Sequence, residues 1–296
     1  MAGRKRIGAV AAALSEEARA AARMARELGF GGLQFDATTS ALDLTALSGS
    51  GRREFRQMMT QQDQAIVALR TDGGVKGMSA GGDVDALLWR WDRVLETAAG
   101  LEARLVCLEL GPLPAPEVQV ETKAPISADL AGIILIPEPK PQAAAIATVP
   151  FDAVFAARVD EALVELGRRA DRYGVMVAMR SELASLAALE RAVRAARCPW
   201  FGIDLDPVAI LADGIAASEV FSSIGSLIRH VRGRDAVGGA GGRTKPVIVG
   251  RGSTDWAGLL ALLDEAGFEG WITIDPIELT ERAAGAGAGL KYLRGI

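Results

Sequence analysis

The sequence has a single histidine, two cysteines and no excess of basic residues among its 296 positions. Cys107 and Cys198 each sit in an apolar, strand-like run. That argues against a disulfide framework and reads as two buried free thiols in a reducing compartment. Lys and Arg number 33 against 37 Asp and Glu, a formal net charge of −4, so no basic face for nucleic acid is expected. No apolar run approaches the ~20 residues of a membrane span. The stretch GRKRIGAVAAAL (3–14) has the basic-then-apolar order of a signal peptide. No polar cleavage region follows it, however, and the charged segment SEEARAAARMAREL begins at once, so it reads as a first strand and helix. These absences together predict a cytoplasmic protein with neither a nucleic-acid nor a membrane partner. With 50% hydrophobic and 24% charged residues, the composition is globular, neither disordered nor fibrous.

What the chain does have is alternation. Eight short apolar runs recur: RIGAVA (6–11), GLQFD (32–36), AIVALR (65–70), RLVCLEL (104–110), VMVAMR (175–180), WFGIDL (200–205), IRHVRGRD (228–235) and WITID (271–275). Between them lie stripes at helical spacing, such as Ala18, Ala21, Ala25 and Leu28, or Phe155, Val159, Leu163, Leu166 and Ala170. Ser15, followed by Glu16 and Glu17, reads as an N-cap with acids in the first turn. ARELGFGGLQF (25–35) and LDEAGFEGWITI (263–274) repeat one phrase, in which a glycine ends a helix and a strand starts within a few residues. Strands alternating with helices imply parallel βαβ units, and eight of them predict a closed (β/α)8 TIM barrel spanning 1–296 as one domain. An open doubly wound sheet is the alternative, but GAVAAALS lacks its Gly-rich phosphate loop.

One interval is about twice too long. The proline-rich segment 111–150 follows the fourth strand, and EVQVETK and AGIILIP within it could pair as a hairpin. It is either a lid or oligomer contact over the C-terminal face, or a disordered decoration.

Barrel enzymes place their catalytic groups at the C-terminal ends of strands. That rule selects Asp36, Arg70, Glu109, Arg180, Asp204 or Asp206, the run His230 to Asp235, and Asp275, with Arg251 in the turn after strand seven. Ionisable groups at the ends of apolar strands are costly unless paired or facing a wet cleft. The plainer reading is a set of ordinary strand-to-loop junctions carrying solvated charge.

GIDLDPVAIL (202–211), IRHVRGRDA (228–236) and VIVGRGSTDWAGLLALLDEAGFEGWITID (247–275) resemble the C-terminal half of the sugar phosphate isomerase/epimerase superfamily, the xylose-isomerase-like barrels. The likeness extends to YGVMVAMRSE (173–182) and faintly to LGFGGLQF. It implies a divalent metal held by Glu, Asp, His and Glu at the ends of strands five to eight. Residue by residue this chain departs: Arg180 stands at the first position, Asp206 at the second, Arg232 at the third and Asp275 at the last, and Ala209 replaces a further histidine. Guanidinium has no lone pair to donate, and two carboxylates are a poor cage for a transition metal. No cofactor and no stoichiometric transition metal are therefore expected. The alternative is a single Mg²⁺ or Mn²⁺ at Asp206 and Asp275. The arginines are expected to supply the lost positive charge and to pair with the two aspartates.

The function implied is a metal-independent isomerase or epimerase acting on an anionic sugar or hydroxy-carbonyl metabolite. Asp206, His230 and Asp275 are the candidate catalytic groups. Arg180, Arg232, Arg251, Asp36 and Glu109 are the candidate substrate contacts. His230 is either an acid/base or a buried structural group. The alternative is a non-catalytic barrel that binds a metabolite or acts as a scaffold. The two separate on whether Arg180 and Arg232 are tied into a plug or line an open pocket. A DNA-repair endonuclease of the same superfamily is disfavoured by the single histidine. A homo-oligomer is compatible with Trp89, Trp91 and Trp256, which mark helix faces packed on the barrel or on another subunit.

Overall fold

The computed structural model describes residues 5–74, 76–79, 81–114, 152–180, 186–238 and 244–296. Its strands are β1 (Arg6–Val10), β2 (Gly32–Asp36), β3 (Ala65–Asp72), β4 (Leu105–Glu109), β5 (Met176–Arg180), β6 (Phe201–Leu205), β7 (Ile228–Gly233), β8 (Asp235–Val237), β9 (Lys245–Val247) and β10 (Trp271–Ile274). Eight of them close into a parallel barrel in the order β1-β10-β7-β6-β5-β4-β3-β2, with β2 returning to β1. The eight apolar runs in the sequence are these eight strands, shifted at their ends by no more than two residues.

The helices are α1 (Ala11–Leu14), α2 (Ala18–Leu28), α3 (Gly49–Gln61), α4 (Val84–Gly100), α5 (Ala153–Tyr173), α6 (Leu186–Ala196), α7 (Pro207–Asp213), α8 (Ala217–Ile224), α9 (Trp256–Glu265) and α10 (Arg282–Gly295). None is long and apolar enough to cross a membrane. Helix α5 shows why such segments form. Asp152 caps it by accepting from the N–H groups of Val154 and Phe155, its buried stripe runs Val159, Leu163, Leu166 and Ala170, and Gly174 stops it. Gly29 (φ 91°) and Gly267 (φ 68°) both take the left-handed conformation, in which a side chain is strained. That is the physical content of the repeated helix–glycine–strand phrase.

Three details differ from the sequence reading. Ser15 is not the N-cap: α2 starts at Ala18 and Glu17 caps it by accepting from the N–H of Ala20. The reason is that four residues, Ala11–Leu14, form their own helical turn directly after β1. The seventh strand stops at Gly233 rather than running to 235. Asp235 turns the chain into an antiparallel hairpin of β8 with β9, because its buried carboxylate accepts from the N–H groups of Ala236, Gly250, Gly252 and Thr254. Cys198 is only half-buried, while Cys107 is buried, and both are free thiols. The hairpin expected within 111–150 lies outside the described residues.

Packing divides into two apolar groups. The larger lies between barrel and helices and includes Trp91 and Trp256, both essentially inaccessible. Each large side chain buried there contributes roughly 1.5–3 kcal/mol against exposure. Trp89 is different. It is 61% exposed, with the Arg93 guanidinium 5.2 Å over its ring. The smaller group, Val67, Ala68, Leu105, Cys107 and Ala178 with Met176 and Trp271, fills the bore.

Candidate active site at the barrel mouth

Strand alternation sends every second side chain into the bore, where the inward residues form tiers. Val67, Leu105, Met176 and Trp271, near the strands' N-terminal ends, make an apolar plug. Above it Gln34, Cys107, Asp204, His230 and Thr273 form a buried polar tier. The top tier, at the C-terminal ends, holds Asp36, Arg70, Glu109, Arg180, Asp206, Arg232 and Asp275.

Register makes two ion pairs in that top tier. Asp36 stands directly beside Arg70 across β2 and β3, and Glu109 beside Arg180 across β4 and β5. Arg70 grips Asp36 through Nε and through Nη2, 3.1 Å from Oδ2, and its Nη1 donates to Asp275 Oδ2 at 3.2 Å. Arg180 Nε donates to Glu109 Oε2 at 2.6 Å.

Arg232 spans the two aspartates. Its Nη1 donates to Asp206 Oδ2 at 2.9 Å and its Nη2 to Asp275 Oδ2 at 2.5 Å. Arg234 adds a second cation to Asp206, at 2.7 Å, and also bonds Glu278. The expected pairing of arginine with the two aspartates is therefore made by Arg232. Arg180 bonds Glu109, which register sets beside it. Burial pushes the Asp206 carboxyl up, against the pull of Arg234 and Arg180. Burial lowers the Arg70 guanidinium, but Asp36 and Asp275 raise it further, so it stays a cation.

A cavity of about 400 Å³ opens above this tier. Six carboxylates line it (Asp36, Asp72, Glu109, Asp204, Asp275 and Glu278) along with four guanidiniums (Arg70, Arg180, Arg232 and Arg234). A volume of that size accommodates a small metabolite. Of the residues singled out in the sequence, Asp36, Arg70, Glu109, Arg180, Asp204, Arg232, Arg234 and Asp275 line the cavity. Asp206 is buried outside the lining and caps α7, its Oδ1 accepting from the N–H of Val208 at 3.0 Å. Arg251 is exposed, in the turn after β9, and is not among the lining residues. Asp235 is likewise absent from the cavity lining, and Arg229 bonds the backbone oxygens of Ser226 and Ile228.

His230 lies one tier below the mouth. Its ring is fully buried, Nδ1 lies 2.6 Å from Asp204 Oδ1, and Nε2 lies 2.7 Å from Thr273 Oγ1. Burial alone lowers an imidazole, but Cys107 and Asp204 beside it push this one up to about 10. Burial pushes the Cys107 thiol up, so the thiol keeps its proton near neutral pH.

Among site candidates the sequence reading named His230 and, as an alternative to Asp206, Asp204, but not Cys107 or Thr273, and it placed none of them in a second tier. Cys107, Asp204, His230 and Thr273 each stand two residues before a top-tier or rim group: Glu109, Asp206, Arg232 and Asp275. A period-two reading backward from each strand end would have found it.

The family model described as xylose isomerase-like TIM barrel matches residues 22–296. A search of curated proteins finds no match. Among solved structures, D-psicose 3-epimerase with D-tagatose from Clostridium cellulolyticum H10 is 14% identical, covers 98% of this chain and 99% of its own, and has a TM-score of 0.69. The 3-keto-D-glucoside 4-epimerase of E. coli is 16% identical over 99% of this chain and all of its own, with a TM-score of 0.68. A xylose isomerase-like TIM barrel protein from Mycobacterium smegmatis in complex with magnesium is 16% identical, covers 94% of this chain and 87% of its own, and has a TM-score of 0.64. At these identities the likeness is one of fold.

The divalent ion implied by the family resemblance does not fit the residues present at its position. Two of the four places carry guanidinium, which offers no lone pair. Arg232 fills the gap between Asp206 and Asp275 with both terminal nitrogens.

Proposed function

As the chain belongs to the xylose isomerase-like TIM-barrel family, whose structural neighbours here include sugar epimerases, we propose that its mouth binds a sugar-like hydroxy-carbonyl compound and moves a proton between adjacent carbons, with guanidinium in the place of a metal ion. The observation that carries this reading is the bridge of Arg232 between Asp206 and Asp275 at the base of an open cavity. Asp275 removes the proton from the hydroxyl-bearing carbon beside the carbonyl. The electrons move to the carbonyl oxygen, and Arg232 and Arg70 neutralise the charge that develops there. Such donors are worth most where charge appears only in the transition state. The enediolate then takes a proton back, from Asp275 onto the neighbouring carbon in an isomerisation, or from solvent in the open cavity onto the other face of the same carbon in an epimerisation, with Asp275 then losing its proton to solvent. Asp36 and Glu109 accept from sugar hydroxyls. Among the described lining residues, six carboxylates against four guanidiniums favour an uncharged ketose over a sugar phosphate or sugar acid.

Deuterium exchange followed by NMR tests this. The expected result is solvent deuterium entering the carbon next to the carbonyl of D-fructose, D-tagatose or D-psicose, faster than into their phosphates, and absent in Asp275→Asn. Lack of exchange and of calorimetric binding across both sets would sink the reading. It would favour the second one, a non-catalytic metabolite-binding barrel. The observation behind that alternative is that all four lining guanidiniums already bond carboxylates.

A further inference from the structure

The buried tier beneath the mouth brings three different metal donors together. Cys107 on β4, Asp204 on β6 and His230 on β7 each offer a ligand atom, and these atoms all lie within 4.8 Å of one another. We propose that these three residues form a site for a thiophilic divalent ion, zinc or cobalt(II), one tier deeper than the position at which the family's ion is expected. The proposal does not depend on the reaction proposed above.

The donor arithmetic suits zinc. With bonds of about 2.3 Å to sulfur and about 2.0–2.2 Å to nitrogen and oxygen, tetrahedral donors stand roughly 3.4–3.6 Å apart. Against that spacing the three donor atoms all lie within 4.8 Å of one another, and His230 Nδ1 and Asp204 Oδ1, now 2.6 Å apart across a hydrogen bond, must open. The ion takes the place of the proton on that bond and of the Cys107 thiol proton. Both leave on binding. Thiolate and carboxylate together balance the two positive charges, so the occupied site adds no net charge to the barrel interior.

Two further features point the same way. Thr273 Oγ1, 2.7 Å from Nε2, accepts from that nitrogen and so turns the Nδ1 lone pair toward the other two donors. A second hydrogen bond of this kind is the usual support of a metal-bound histidine. Cys107 and Asp204 also line the floor of the cavity while His230 does not. Three protein donors closed from below and open from above leave the fourth position facing the cavity, for water or a ligand hydroxyl. A thiolate and an imidazole select zinc or cobalt over magnesium.

Cobalt(II) titration of the full-length, chelator-dialysed, reduced protein tests the assignment. The expected result is one equivalent bound per chain, with a near-ultraviolet thiolate-to-cobalt charge-transfer band that excess magnesium does not displace. The band should vanish in Cys107→Ser, survive in Cys198→Ser and survive in Asp275→Asn. Thr273→Val should weaken binding about 10–100-fold. If Cys107→Ser does not fold, mass spectrometry on the parent replaces it, with zinc expected to protect Cys107 but not Cys198 from alkylation. A folded parent that gives no band, a band lost in Cys198→Ser, or an ion whose binding depends on Asp275 would each overturn the proposal.

Discussion

Replacing Arg232 by methionine removes the group that joins two buried carboxylates while keeping most of its aliphatic bulk. The Arg232, Asp206 and Asp275 side chains are 12%, 6% and 5% exposed, so solvent screens their interactions little. Breaking a buried pair by deleting one partner costs about 3–5 kcal/mol, because the remaining charge is stranded. Here the loss should fall near the lower end, about 3 kcal/mol. Asp206 keeps Arg234 at 2.7 Å and Asp275 keeps Arg70 at 3.2 Å. For a chain of this size that corresponds to a fall in Tm of roughly 6–12 °C. Urea denaturation of the parent, Arg232→Met and Arg232→Met/Asp206→Asn gives the measurement. The double variant should recover part of the loss, since one of the two carboxylates left short of a cation is gone. A single variant within about 1 kcal/mol of the parent, or a double variant less stable than the single one, would refute the claim that this guanidinium holds the two carboxylates in place.

The buried imidazole predicts a pH dependence with a definite sign. His230 is raised from 6.5 to about 10, so its stabilisation is fully present below the unfolded value and is lost as pH rises through about 10. His230→Gln should flatten the fall in urea midpoint between pH 6.5 and 10, and an unchanged slope would count against the Asp204–imidazolium pair. Arg251→Ala, at an exposed turn outside the cavity lining, should alter stability by less than about 0.5 kcal/mol and leave deuterium exchange at the parental rate. Arg180→Glu with Arg232→His should rebuild a four-donor set at the mouth and raise affinity for manganese in calorimetry. A folded double variant that binds manganese no better than the parent would show that these residues do not stand at the family's metal position.

Local chemistry was legible in the sequence. The period-two runs, the helical stripes and the glycines at 29 and 267 fixed eight strand–helix units. Strand ends then named Asp36, Glu109, Arg180, Arg232 and Asp275, all of which line the cavity. These features depend on neighbours a few residues away, and such neighbours are visible in one dimension. Only the tertiary structure decided which charge meets which. Arg180 bonds Glu109 because β4 and β5 pair in that register. Arg232 reaches both Asp206 and Asp275 because β7 lies between β6 and β10 in the closed ring. Arg251 is outside the cavity lining, in the turn after β9, whose pairing with β8 is equally non-local. His230, which looked like an acid or base for the mouth, became the covered centre of a second tier with Asp204, Thr273 and Cys107. Strand order and register bring those residues together from positions far apart in the chain, so no spacing along the sequence encodes their contact.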